Sequence, residues 1–135
     1  MTRLLVIDDD SRSTPALCDC LRQLGCLVLH ALPSEDIEEC IAEFRPDGII
    51  LDLMMPPPQG VGRAELGSGY TTGAYLCREV IAKAAPSVPF VILTGADPSC
   101  TPVARAMDTL RGLDGFRGLL EKTGDEKYVL KKLFG

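Results

Sequence analysis

Four apolar runs in this chain end on groups that can do chemistry. Leu4-Leu5-Val6-Ile7 is followed by Asp8-Asp9-Asp10, and Gly48 to Leu51 by Asp52. Phe90 to Leu93 is followed by Thr94-Gly95, and Leu119-Leu120 by Glu121-Lys122. If these runs are parallel strands of one sheet, their terminal groups share one edge. In open parallel sheets, ligands collect beyond the carboxyl ends of the strands. Carboxylates crowded there repel, and each raises the pKa of the next unless a cation is present. A hard divalent cation relieves this, and Mg2+ takes one or two carboxylates, a carbonyl and waters. A hydroxyl from Thr94 and an ammonium from Lys122 then suit a phosphoryl group, by hydrogen bond and by charge. The pattern predicts a Mg2+-dependent phosphoryl site built on aspartate chemistry, with Asp52 at its centre. Each residue has a blander role open to it: Asp52 could begin a loop, Asp8 could cap a helix, and Lys127, Lys131 or Lys132 could stand in for Lys122. Only Lys122 closes an apolar run.

The elements that must position these groups follow from periodicity. Thr14 and Pro15 read as an N-cap and first helical position, with Leu17, Cys20, Leu21 and Leu24 as the inward face and Gly25 as the stop. Cys26 to Leu29 reads as a short strand. Ser34 opens a second helix, with Glu35 and Asp36 at its positive end and Ile37, Cys40, Ile41 and Phe44 inward. Arg45-Pro46 leads into the strand that ends at Asp52, and Pro56-Pro57-Pro58 terminates the short segment after it. Five glycines from Gly60 to Gly73 then mark an irregular stretch. Cys77, Val80, Ile81 and Ala84 mark a third helix. Thr101 and Pro102 start a fourth, with Val103, Ala106, Met107 and Leu110 inward. Val129, Leu130, Leu133 and Phe134 mark a fifth. Strand–helix alternation of this kind implies a parallel sheet with helices on both faces.

Composition narrows the class. The 135 residues suit one domain with its own core. A net charge of −5 and a pI of about 4.8 argue against a main role in binding nucleic-acid backbones. There is no apolar run of about 18 residues for a membrane span, and Met1-Thr2-Arg3 leads into a strand without a signal-peptide layout, so the expected compartment is the cytoplasm. Six cysteines in a chain of this size are expected to be free: Cys20, Cys40 and Cys77 fall on apolar helix faces, and Cys18 and Cys20 point to different sides of one helix. The single histidine, His30, has no ligand cluster around it.

Taken together, the motifs resemble the receiver domain of bacterial two-component response regulators. Leu5-Val6-Ile7-Asp8-Asp9-Asp10 resembles the family's acidic pair, and Leu51-Asp52-Leu53-Met54-Met55-Pro56 its phosphoacceptor strand with the following Met-Pro. Leu93-Thr94-Gly95 resembles its switch Thr, and Glu121-Lys122 its final Lys. The resemblance covers nearly the whole chain. It implies an α/β fold, a flavodoxin-like three-layer sandwich with a five-stranded parallel sheet in the order 2-1-3-4-5 and five helices. Residues 1–135 would form one receiver domain with an inserted loop at about 57–72. Asp52 would accept a phosphoryl group from a histidine kinase or phosphotransfer protein. Asp9, Asp52 and the Met54 carbonyl would hold Mg2+, with Asp8 contributing through water. The backbone N–H groups of Leu53 and Gly95 would bind phosphoryl oxygens. The phosphoryl group would then attract Thr94 and Lys122 and bias the region of the fourth helix and fifth strand, which a downstream output protein or domain would read. A homodimer is compatible with such a role, whereas direct nucleic-acid or membrane contact is not expected, nor is an enzyme activity beyond self-phosphoryl transfer and slow autodephosphorylation.

The chain departs from the family's pattern at four places. Gly95 stands where Ala is usual, Thr123 where Pro follows the Lys, and Leu119 where an aromatic is usual. Pro56-x-x-Gln59-Gly60 mimics the family's Met-Pro-x-x-Asp-Gly, yet Thr72-Gly73-x-x-Leu76 fits the helix start better. The difference leaves an insertion carrying Arg63, Glu65, Tyr70, Thr71 and Thr72, which is either a lid or partner-contact loop or a neutral insertion. Two other readings stay open. Ile7-Asp8-Asp9-Asp10-Ser11 also resembles the start of haloacid-dehalogenase-type phosphatases, with Asp8 as nucleophile. Thr123 and Leu119 would also suit a receiver-shaped interaction module that is never phosphorylated.

Overall fold

The three central strands form where the chain is apolar without interruption. In the computed structural model, which describes residues 1–56, 72–95, 99–122 and 125–135, β1 is Arg3–Ile7, β3 is Gly48–Asp52 and β4 is Phe90–Thr94. Leu4 to Ile7, and every residue of β3 and β4, are buried, as expected for strands covered on both faces. The edge strands are β2, Leu27–Ala31, and β5, Phe116–Glu121. All pairings are parallel and the order is β2-β1-β3-β4-β5. This is the flavodoxin-like arrangement that the motifs implied.

Because strand residues alternate between faces, two cores result. Leu5, Ile7, Ile49, Leu51 and Ile92 meet α2 (Ile37–Phe44), α3 (residues 72–84) and α4 (Thr101–Asp108) on one face. Leu4, Val6, Ile50, Val91 and Leu93 meet α1 (Thr14–Gln23) and α5 (Glu126–Phe134) on the other. The helix α3 runs through Thr72–Leu76, a π-helical turn Cys77–Ile81 and Ala82–Ala84. Five helices therefore flank the sheet among the described residues. None of them is long and apolar enough to cross a membrane.

Several local expectations shift. The inward face of α1 is Thr14, Leu17, Cys18 and Leu21 rather than one through Cys20 and Leu24; Leu24 is exposed and Cys20 half-buried. The cap of α1 is Ser13, whose side chain does not bond the helix amides, while Asp10 organises the turn by accepting from Arg12 N–H and from Ser13 N–H and hydroxyl. Asp36, not Ser34, caps α2, accepting from Glu39 N–H at 3.0 Å. Phe134 is largely exposed rather than inward. Of the Met54-Met55 pair, Met55 is buried in the core and Met54 lies at the surface.

β5 is longer than its two leucines suggested, and it is bulged. Phe90 pairs with Phe116 but Ile92 pairs with Leu119, so β5 carries one extra residue there. Gly118 sits in that stretch at φ +130, a conformation open to glycine. The bulge sets the register in which Thr94 faces Glu121, and hence where the next residue, Lys122, arrives. The inserted loop falls outside the described residues up to position 71; Thr72 is the first residue of α3. Thr123, next to Lys122, also lies outside them.

Candidate functional site

The carboxyl edge of the sheet gathers Asp8, Asp9, Asp52, Thr94 and Lys122. Asp8 follows β1 directly and is 3% exposed; Asp52 ends β3 at 7%, and Thr94 ends β4 fully buried. One carboxylate oxygen from each of Asp8, Asp9 and Asp52 lies within 4.8 Å of the other two. Lys122 Nζ is 3.2 Å from Asp8 Oδ2 and 3.2 Å from Asp52 Oδ2. Its backbone N–H donates to the Thr94 carbonyl at 3.1 Å, which ties the end of β5 to the end of β4. A cleft of about 360 Å³ opens beside Asp8 and Lys122, between α1 and the start of α5.

Electrostatics mark Asp52 as the unusual group. Burial, and then the charge of Asp8, push its carboxyl up to about 6 from 3.8, with Lys122 pulling the other way. Burial also opposes the Lys122 ammonium, but the charges of Asp52 and Asp8 outweigh it and hold its pKa above the usual value. Both values move up, which disfavours charge on Asp52 and favours it on Lys122: a single ammonium shared by two buried carboxylates stays charged but cannot neutralise both. Three carboxylates with one compensating cation among the described residues form a hard-oxygen donor set that fits a divalent ion.

Other anticipated positions divide. Asp9 is exposed yet belongs to the acidic cluster. Met54 N–H donates to Asp52 Oδ1 at 3.4 Å, whereas Leu53 N–H, expected to face a phosphoryl oxygen, donates instead to the Leu93 carbonyl at 3.2 Å as the β3–β4 ladder runs out. The backbone amide beside the Asp52 carboxylate is therefore that of Met54. Gly95 follows Thr94, is exposed, and has nothing within 4 Å of where a Cβ would stand. Asp10 is the organiser of the turn before α1.

Two contributors escaped the sequence reading. Gly73 N–H donates to the Leu53 carbonyl at 3.0 Å, and a Cβ on Gly73 would come within 2.4 Å of the Asp52 carbonyl oxygen. The start of α3 thus presses against the backbone of Asp52, which only glycine permits. The Thr72-Gly73 pair suggested a helix start, but not this close approach. His30 Nε2 lies 2.7 Å from the Asp8 carbonyl. Nothing in the sequence signalled that contact, because His30 and Asp8 lie on different strands.

No family model matches the sequence. Solved structures do. The BeF3-activated N-terminal receiver domain of Klebsiella pneumoniae RstA is 22% identical with a TM-score of 0.71, over 98% of this chain and 95% of that one. A response regulator receiver domain protein from Clostridium thermocellum is 23% identical with a TM-score of 0.72, over 98% and 91%. A response regulator protein from Burkholderia pseudomallei, with a phosphorylated aspartic acid, calcium ion and citrate, is 21% identical with a TM-score of 0.69, over 98% and 66%. With its sheet order, its acidic edge and these neighbours, the chain has the fold of the response regulator receiver domains.

Proposed function

We propose that this protein is a phosphoacceptor receiver domain of a two-component phosphorelay, with Asp52 as the acceptor. The observation that carries the reading is the bridging position of Lys122 between Asp8 and Asp52, at the edge where Asp9 and Thr94 also end. Asp52 Oδ2 meets Lys122, while among the described residues Oδ1 holds only the long bond from Met54 N–H. Oδ1 is the oxygen left to attack. In the transfer it attacks the phosphorus of a phosphohistidine on a histidine kinase or phosphotransfer protein. The P–N bond breaks, its electron pair stays on the imidazole nitrogen, and an acyl phosphate forms on Asp52. Hydrolysis later returns Asp52 and inorganic phosphate.

Asp9, Asp52 and the Met54 carbonyl would hold Mg2+, with Asp8 through a water. The ion, when bound, would offset the negative charge of the carboxylates and of the incoming phosphoryl oxygens. Lys122 would move from bridging two carboxylates to pairing with the phosphoryl group. The Thr94 hydroxyl and the N–H groups of Met54 and Gly95 would donate to its oxygens. That rearrangement pulls on the ends of β4 and β5, and an output protein or domain would read it on the α4–β5 side. A homodimer, a cytoplasmic setting and the absence of turnover on other substrates complete the reading. The Burkholderia neighbour, with its phosphorylated aspartic acid, supports it.

The test is to treat the protein with acetyl phosphate and Mg2+ and to map the acyl phosphate by hydride reduction and peptide mass. Label on Asp52, absent in Asp52→Asn, is expected. Label on Asp8 would instead indicate the phosphatase chemistry. Asp8 is poorly placed for it, since Oδ2 meets Lys122 and Oδ1 accepts from Asp10 N–H at 2.9 Å. No label on any aspartate would leave a receiver-shaped interaction module.

A further inference from the structure

β1 and β2 pair in parallel, from Arg3 opposite Leu27 to Ile7 opposite Ala31. The ladder begins with Leu27 N–H donating to the Thr2 carbonyl at 2.8 Å. It runs as far as Asp8 N–H donating to the Ala31 carbonyl at 3.2 Å. In the evenly spaced parallel pattern, the next bond would carry the N–H of residue 33 to the Asp8 carbonyl. Residue 33 is proline, which has no N–H. The carbonyl that loses its ladder donor is the one that His30 Nε2 meets at 2.7 Å. A carbonyl can only accept, so Nε2 carries the hydrogen. The imidazole supplies the donor that Pro33 withholds.

We infer that His30 is a positioning residue for the cation-binding pair Asp8 and Asp9. The Asp8 carbonyl belongs to the planar peptide joining these two residues. Fixing its oxygen fixes that plane, and with it the direction in which Asp9 leaves the strand. The Asp9 carboxylate has no hydrogen bond or ion pair among the described residues, so its placement depends on its backbone. Asp8 itself is then held at four points: N–H by Ala31, carbonyl by His30, Oδ1 by Asp10 N–H and Oδ2 by Lys122. This role rests on the reading of the pocket as a divalent-cation and phosphoryl site.

The experiment measures Mg2+ affinity of the unphosphorylated protein by calorimetry for wild type, His30→Ala and His30→Gln. Urea unfolding without metal establishes that each variant is folded. His30 lies exposed on an edge strand, so both variants are expected to fold. Loss of an outer partner of a ligand weakens metal binding by about tenfold or more, and that loss is expected for His30→Ala. A Gln amide can reach the same carbonyl, so His30→Gln should bind Mg2+ close to wild type. Phosphorylation of His30→Ala by acetyl phosphate should need more Mg2+ and then reach the wild-type rate. Wild-type affinity in His30→Ala, or a defect in His30→Gln as large as in His30→Ala, would overturn the role. A wild-type protein that binds no Mg2+ would overturn the pocket reading itself, and this inference with it.

Discussion

Lys122 Nζ stands 3.2 Å from Asp8 Oδ2 and 3.2 Å from Asp52 Oδ2, so one ammonium bridges two buried carboxylates. Removing one member of such a group leaves charge buried without a partner, which costs more than the intact group contributes. Lys122 is 22% exposed at its side chain, so solvent blunts part of that cost. Lys122→Ala is expected to lose about 2 kcal/mol at pH 7.5, read from urea unfolding without metal. Mg2+ should recover much of it, because the ion takes over the compensation. A variant as stable as wild type without metal would show that the bridge contributes little.

Asp52 makes stability depend on pH in a defined sense. Its carboxyl sits at about 6 in the folded chain against 3.8 ordinarily. A pKa raised by folding adds stability that is whole below the lower value and is lost as pH rises through the higher one. Asp52→Asn removes this dependence. In metal-free buffer the two proteins should be of similar stability near pH 4. At pH 7.5 the variant should be more stable by roughly 2–3 kcal/mol. Parallel stability curves for the two proteins between these values would contradict the raised pKa.

A substitution at Asp9 would separate metal binding from folding. It is exposed, so Asp9→Asn should leave urea unfolding without metal almost unchanged, within about 0.5 kcal/mol. A ligand at a hundred times its dissociation constant stabilises by about 2.7 kcal/mol. Wild type should therefore melt at a higher temperature when Mg2+ is added, and EDTA should reverse the gain. Asp9→Asn should show little of it. An equal Mg2+ response in the variant would remove Asp9 from the ligand set.

Two glycines beside the site should respond differently to the same methyl group. On Gly73, a Cβ would lie 2.4 Å from the Asp52 carbonyl oxygen and 2.8 Å from Leu53 Cα, and backbone cannot yield easily. Gly73→Ala is expected to cost about 2–3 kcal/mol and to slow phosphorylation by displacing Asp52. On Gly95 a Cβ would meet nothing within 4 Å, and its φ is not in the left-handed region. Gly95→Ala should leave stability within about 0.5 kcal/mol of wild type. Urea midpoints and acetyl phosphate kinetics for the two variants check both statements.

Much of the fold was legible because burial on both faces demands uninterrupted apolar strands. That demand exposed β1, β3 and β4, and with them Asp8 just after β1, Asp52 at the end of β3 and Thr94 at the end of β4. The α4 face was equally plain: Val103, Ala106, Met107 and Leu110 are all buried. In α1, Thr14 is buried although polar and Leu24 is exposed although apolar, so residue type pointed to the wrong stripe. In β5, periodicity could not reveal an extra residue, because a bulge appears only against a partner strand.

Residue type and spacing by themselves determined which groups stand at strand ends, and therefore which carboxylates, hydroxyl and ammonium can share an edge. Strand pairing and packing alone decided how those groups face one another. The β5 bulge delivers Lys122 between two acids, the β3–β4 ladder takes the Leu53 amide and leaves that of Met54, and Gly73 brings α3 onto Asp52. Pro33 passes the Asp8 carbonyl to His30. Each of these depends on contacts between segments distant in sequence, and hydrogen-bond reach of about 3 Å is settled only when the strands are in register.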